Sequence, residues 1–170
     1  MDGIILRVFA VSGFSGTGKT SLIENLIKEL KSRGHSVSVI KSSREDIGPP
    51  EGTDTHRHIA ASANPVTLVG PSTTTIRYQR RLNSSDILSK FDADIVLLEG
   101  FKSAHIPRIF CIGKRGLNEN NIPDQTHAIV SWNKTDTKET TKIPVLHSRQ
   151  IEEITDLVLQ YAVKLNEIEF

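Results

Sequence analysis

Short runs of β-branched and aliphatic residues recur along the chain, separated by stretches whose apolar positions fall into helical spacing. The runs are IILRVFAV (residues 4–11), SVSVIK (36–41), PVTLVG (65–70), DIVLLE (94–99), PRIFCI (107–112) and HAIVSW (127–132). Their length and composition predict strands. Most are apolar at successive positions, so both faces must be covered, as in a parallel sheet with helices on each side. Between the first two runs, Lys19 to Arg33 places Leu22, Ile23, Leu26, Ile27 and Leu30 on one helical stripe, with Gly34 as the stop. Shorter helices are expected over residues 55–63 and 85–91, and a last one carries Ile151, Ile154, Leu157, Val158, Tyr161 and Leu165. The order of elements is that of a wound, mainly parallel α/β domain with helices on both faces of the sheet, a single domain over residues 1–170.

Three polar stretches read as loops. Residues 43–54, SREDIGPPEGTD, combine two prolines with two glycines and several charges; residues 71–84 are rich in Thr and Arg, and 113–126 in Gly, Asn, Pro and Asp. Composition adds limits. A length of 170 residues suits one core. Lys plus Arg number 21 against 20 Asp plus Glu, so neither nucleic acid nor a membrane surface is demanded as partner. No apolar run approaches the roughly 20 residues of a bilayer span, and no signal-peptide pattern opens the chain, so a cytoplasmic protein is expected. The one cysteine, Cys111, sits in a predicted strand and reads as a buried apolar residue.

The chemistry begins at GFSGTGKT. Gly13, Gly18, Lys19 and Thr20 match G-x-x-x-x-G-K-[ST], with a strand before and a helix after. Backbone N–H groups of Gly13, Ser15, Gly16, Thr17 and Gly18 and the helix N-terminus would point at a phosphate chain. Lys19 would neutralise β and γ oxygens, and Thr20 would offer its hydroxyl to Mg²⁺. The metal needs an acid on a neighbouring strand. Glu99 ends the DIVLLE run at the same sheet edge and is expected to orient the metal's water or a nucleophilic one, whereas Asp94 enters that run at the far end, as a capping or solvent-facing residue. Gly100 is expected to bring a backbone amide to the γ-phosphate. Lys41, ending SVSVIK at the same edge, suits either a phosphate or plain solvent.

After HAIVSW comes Asn133-Lys134-Thr135-Asp136, of the N-K-x-D form found in guanine-binding GTPases. The Asp136 carboxylate would accept from guanine N1–H and N2–H₂, Asn133 would hold the loop and the Lys134 stem would pack on the ring. His56 and His58, two apart, would point to different helix faces, against a two-histidine metal site. Arg77, Arg80 and Arg81 suit a solvated face, an anionic phosphate or a neighbouring subunit, and core packing is the expectation for Trp132 and Phe101.

With these residues in place, the chain resembles the molybdopterin-guanine dinucleotide biosynthesis protein B (MobB) family over residues 5–112, in its phosphate loop, SVSVIK, GTDTHRHIAASANPVTLVGPS and DIVLLEGFKSAHIPRI. Asp54, Thr55, Arg57 and His58, with Glu99 to Lys102, are the discriminating blocks. The resemblance implies a homodimeric, weakly hydrolysing GTP-binding protein that assists attachment of GMP to molybdopterin, forming molybdopterin guanine dinucleotide beside a MobA-type nucleotidyltransferase. It also implies that Asp54, Arg57 and Lys102 lie near the nucleotide or a dimer cleft, and the anion that would suit Arg77, Arg80 and Arg81 is then a pterin phosphate. The chain departs from the family at IKSSREDIG, where the family commonly carries histidines after the second strand, so Glu45 or Asp46 would stand nearer the metal instead. Two other classes fit the same cradle: a small-molecule kinase with Arg77, Arg80 and Arg81 as its lid, and a binding-only adaptor whose nucleotide stabilises a dimer. With no general base beyond Glu99, intrinsic turnover is expected to be slow.

Overall fold

The computed structural model describes residues 6–114, 119–133 and 142–164. In chain order the elements are β1 (Arg7–Gly13), α1 (Lys19–Ser32), β2 (Val37–Lys41), α2 (Asp54–Ala60), β3 (Val66–Val69), β4 (Thr74–Arg77) and α3 (Ser84–Leu88). They continue with β5 (Ile95–Glu99), β6 (Arg108–Gly113), β7 (Thr126–Ser131), β8 (Val145–His147), α4 (Ile151–Tyr161) and β9 (Val163–Lys164).

Val8 to Gly13 of β1 are buried, and so is all of β5 and β6. A strand with no solvent face needs partners on both edges as well as cover above and below, because its backbone polar groups have no water. β1 accordingly lies parallel to β5 on one edge and to β6 on the other, and the path through the sheet runs β2-β5-β1-β6-β7-β8, with β9 antiparallel to the start of β1. Every pair along the main path is parallel.

One face is covered by α1 and α4. Leu22, Ile23, Leu26 and Leu30 of α1 and Ile154 and Val158 of α4 join Phe9, Val11, Leu97 and Val130 in one apolar cluster. At roughly 1.5–3 kcal/mol per fully buried aliphatic side chain, this burial is what holds α1, and with it the loop at its N-terminus, to the sheet. The helices are also pinned by Arg33, which bonds Glu29 at 2.8 Å and Asp156 of α4 at 2.5 Å. The opposite face is closed by Leu88 of α3 and Ile106 over Val8, Ala10, Val96 and Leu98. Asp94 caps the far end of the sheet: its Oδ2 accepts from the Ser36 backbone N–H and hydroxyl, both at 2.7 Å, and these bonds hold its carboxyl below the usual range.

Three expectations change. PVTLVG is a strand, but outside the parallel sheet: β3 pairs antiparallel with β4 in a separate hairpin. Its Leu68 and Val69 are 59% and 74% exposed, so an apolar run does not by itself imply burial. β4 lies within the stretch expected to be a loop. Its Thr-rich composition is β-favouring once a neighbouring strand supplies hydrogen bonds. The last helix stops at Tyr161, where β9 finds the free edge of β1 near Arg7, and Leu165 lies outside the described residues. Among the described residues no helix is long and apolar enough to cross a membrane.

Cys111 is buried as expected, and burial pushes its thiol up to about 12. His127 stacks on Tyr161, with ring centroids 3.9 Å apart, and burial lowers its pKa. A histidine that is harder to protonate folded than unfolded contributes stability that is present above its unfolded value, about 6.5, and is lost as pH falls below it. Urea midpoints measured from pH 7.5 to 5 are therefore expected to fall below about pH 6.5, and less steeply in His127→Phe, which keeps the ring stack; equal slopes in both proteins would remove His127 as a cause.

Candidate functional site

The carboxyl ends of β1, β2 and β5 meet at one edge, and the sheet register places Glu99 opposite both Val11 and Lys41. Its side chain is therefore held between the strand that feeds the glycine loop and the strand that ends in Lys41. Glu99 is buried, and its Oε1 accepts from Thr20 Oγ1 at 2.9 Å and pairs with Lys41 Nζ at 3.3 Å. The three side chains come from three elements that only the parallel sheet brings together.

Between β1 and α1 the chain turns through Phe14, Ser15, Gly16, Thr17 and Gly18. The buried Thr17 donates from Oγ1 to the Phe14 carbonyl at 2.8 Å, and Lys19 Nζ donates to the same carbonyl at 2.7 Å. Ser15 and Gly16 form the exposed crest, with nothing within 4 Å of where a Gly16 side chain would begin. The start of α1 carries neither a capping side chain nor an acid in its first turn. Its unpaired N–H groups and positive dipole end are left for an anion, with the Lys19 ammonium beside them on the Phe14 carbonyl. No three His, Cys, Asp or Glu side chains converge among the described residues, so a protein-only metal cage is absent there. A hydroxyl and one carboxylate side by side are instead hard oxygen donors of the kind that could hold Mg²⁺ if its remaining ligands came from water and a bound anion.

Two contacts invisible in the sequence shape this loop. Trp132 is not core: it is 40% exposed, and its indole Nε1 donates to the Thr17 carbonyl at 3.0 Å. Its ring lies against Gly18, where a Cβ would overlap it and φ is +79°, so glycine is required on two counts. Asn133 donates its backbone N–H to Ser131 Oγ at 3.3 Å.

The second contact is Arg108, 1% exposed. Its guanidinium donates to Ser12 Oγ and to the Phe101 and Lys102 carbonyls, each at 3.1 Å, and to the Ala104 carbonyl. Nε donates to the Ile106 carbonyl at 3.1 Å. Burial lowers its pKa from a very high starting value, so it remains charged. An arginine opening an apolar run is the one sequence hint that the loop after β5 is wound around a buried cation.

That loop also corrects the expectation for Gly100. Its N–H donates to the Val11 carbonyl at 3.0 Å and its carbonyl accepts from Ser12 Oγ at 2.7 Å, so in this structure the amide serves the sheet rather than the loop mouth. Phe101 has φ +43°, a left-handed conformation uncommon outside glycine, and such strain clusters at functional loops. Lys102 Nζ stands 4.0 Å over the Phe14 ring, bringing the EGFK block against the glycine loop.

Other candidates lie apart. Asp54 and Arg57 pair with each other at 3.7 Å on the exposed surface of α2. Arg77 donates to the Ile47 carbonyl and Arg80 stands 3.9 Å from Asp86, so neither is free to act as a lid. Glu45, Asp46 and His56 border a cavity on the β2 side, whereas His58 is exposed on α2. Lys134 and Asp136 lie outside the described residues. A cavity of about 660 Å³ opens between Asn25 and Lys28 of α1, Trp132, and the His147 to Arg149 turn, with the His147 ring nitrogen Nε2 3.1 Å from the Trp132 carbonyl.

Residues 8–132 match the family model described as molybdopterin guanine dinucleotide synthesis protein B. A relative from Methanocaldococcus jannaschii is 32% identical over 133 residues, 74% of this chain and 55% of its own length. A molybdopterin-guanine dinucleotide biosynthesis adapter protein from Haemophilus influenzae is 36% identical over 110 residues, 61% of this chain and 62% of that one. The chain thus spans less than two thirds of the length of both relatives. The crystal structure of Bacillus subtilis MobB shares the fold at a TM-score of 0.70 and 22% identity, covering 92% of this chain and 98% of that one.

Trp132 is the single tryptophan of the chain, so its emission reports the glycine loop directly. Gly18→Ala is expected to shift the emission maximum and lower the melting temperature. An unchanged spectrum in a folded Gly18→Ala protein would mean that the indole does not rest on Gly18.

Proposed function

The chain belongs to the molybdopterin guanine dinucleotide synthesis protein B family, and from that premise we propose that it is a GTP-binding adapter in molybdenum-cofactor maturation. The observation that carries this reading is the buried Glu99 carboxylate bonded to Thr20 at the mouth of an uncapped helix N-terminus. A triphosphate chain would lie along the Ser15 to Thr20 backbone, and Lys19 would exchange the Phe14 carbonyl for β and γ oxygens. Thr20 and Glu99 would hold Mg²⁺, which on binding neutralises charge on those oxygens.

The base would lie on the Trp132 side, where a cavity adjoins α1. From the N-K-x-D pattern of the sequence, the Asp136 carboxylate would select guanine by accepting from its N1–H and N2–H₂. Glu99 is tied to Thr20 and Lys41 and has little freedom to act as a general base. Hydrolysis is therefore slow, and the nucleotide state serves recognition by a MobA-type nucleotidyltransferase and its molybdopterin substrate. The exposed Leu68, Val69 and Ile76 on the β3–β4 hairpin support a homodimer through that hairpin, since paired copies would cover both the apolar side chains and the open strand edge.

In thermal-shift titrations GTP with Mg²⁺ is expected to raise the melting temperature, by a stabilisation of about 2.7 kcal/mol at one hundred times Kd, and EDTA to remove most of that gain. Lys19→Ala should abolish the shift; a normal shift in that variant would end the phosphate-loop assignment. For the base, Asp136→Asn should move preference towards xanthosine triphosphate, and a parent protein that binds ATP as tightly as GTP would leave Asp136 without the role given to it.

A further inference from the structure

Glu99 holds two partners on one carboxylate oxygen. Oε1 accepts from Thr20 Oγ1 at 2.9 Å and from Lys41 Nζ at 3.3 Å. The two partners differ in how firmly they are placed. Thr20 lies in the first turn of α1, which its apolar stripe fixes to the sheet. The Lys41 side chain is 61% exposed on the edge strand β2, so its ammonium can leave for solvent without disturbing the core. Its backbone stays in place, because the register sets Lys41 level with Glu99 and the Ser42 N–H donates to the Glu99 carbonyl at 3.0 Å.

The Glu99 side chain is 10% exposed. A carboxylate this short of solvent is costly to leave unpaired, so Lys41 departs only when another cation takes over the oxygen. Among the described residues no second ammonium or guanidinium is paired with Glu99, and Lys19, which adjoins Thr20 in sequence, is held on the Phe14 carbonyl. The cation able to replace Lys41 is therefore one from outside the chain. Thr20 can keep its O–H on Glu99 while a lone pair of the same hydroxyl faces a metal. Lys41 cannot stay beside it, because an ammonium and a dication drawn to one oxygen repel each other at contact distance. Lys41 also lines a cavity of about 680 Å³ on the β2 side, so the displaced side chain has room to move.

We propose, resting on the reading of the cradle as a nucleotide and Mg²⁺ site, that Lys41 is the residue that makes metal binding depend on the nucleotide. Its ammonium competes with a divalent cation for Glu99, and it yields when the cation arrives with a polyphosphate whose negative charge attracts the released ammonium. A metal position open only in the fraction of molecules where Lys41 is away has its apparent affinity lowered by that fraction. The coupling is reciprocal: the nucleotide gains from the metal the factor that the metal gains from the nucleotide.

The test uses the isotope-labelled full chain and Mn²⁺ as a paramagnetic probe, read as broadening of the amide NMR signals of Lys19, Thr20 and Ser21, without nucleotide and with saturating GTP. Without nucleotide, Lys41→Met should bind Mn²⁺ at these amides about fivefold or more tightly than the parent, as expected if Lys41 blocks the position most of the time. Lys41→Arg, which keeps the charge, should stay close to the parent, and Glu99→Gln added to Lys41→Met should cancel the gain. GTP should tighten Mn²⁺ binding by a larger factor in the parent than in Lys41→Met. The amide spectrum shows whether each variant is folded, and Lys41→Gln serves in place of Lys41→Met if that variant is not. Equal or weaker Mn²⁺ binding in Lys41→Met, a gain that survives Glu99→Gln, an equal gain in Lys41→Arg or, where GTP binds, the same GTP-induced factor in both proteins would each overturn the role of Lys41. A parent that ignores GTP while Lys41→Met gains Glu99-dependent Mn²⁺ binding would leave the competition standing and remove the nucleotide reading instead.

Discussion

The placement of Glu99 depends on one constraint: β1 has no solvent edge and no solvent face. Its backbone must be paired on both sides, and β5 and β6 supply that pairing in parallel. Parallel pairing puts the carboxyl ends of β1, β2 and β5 at one edge, and the register sets Glu99 level with Val11 and Lys41. A shift of one residue would turn the Glu99 side chain to the other face and separate it from Thr20. The cluster of Thr20, Lys41 and Glu99 is therefore a consequence of core packing two strands deep, and the apolar stripe of α1 completes it by fixing the height of Thr20 above the sheet.

Around that edge the loops are held by charge and by single polar contacts rather than by apolar burial. Arg108 donates to Ser12, just before the glycine loop, and to four carbonyls of the segment between Gly100 and Pro107. A buried guanidinium is costly unless its donors are satisfied, so the segment is wrapped to satisfy it. On the other side the indole of Trp132 holds the Thr17 carbonyl. The glycine loop is thus braced from β6, next to β1, through Arg108, and from the end of β7, one strand further on, through Trp132. Changes at Arg108 or Trp132 have a direct path to the backbone of the glycine loop. One cavity lies beside Trp132 and the other on the opposite side of β1, beside Lys41 at the end of β2.

The residues that were readable in the sequence are those whose role is local or periodic. GFSGTGKT is contiguous, the α1 stripe repeats at helical spacing, and Glu99 ends an apolar run whose burial on both faces requires the parallel arrangement. PVTLVG shows the limit, because a run of four apolar or β-branched residues does not say which sheet it joins. The flanking Pro65 and Gly70 gave no sign that the partner would be the polar TTIR stretch. Trp132 and Gly100 were misjudged for a shared reason: their partners, Thr17 and Val11, lie 115 and 89 positions away. Local composition carries no trace of such a distance.

By itself the sequence determined the wound α/β class, the glycine-rich turn that runs into Lys19 and Thr20, the acid at the end of the DIVLLE run and the family, because each is written in contiguous or periodic positions. The tertiary structure alone decided that Lys41 and Thr20 share one Glu99 oxygen, that Trp132 and Arg108 brace the glycine loop, and that Arg80 and Arg81 share a cavity with Glu45 and Asp46. Those juxtapositions follow from strand order and register, which depend on how the whole core packs and not on any short stretch of the chain.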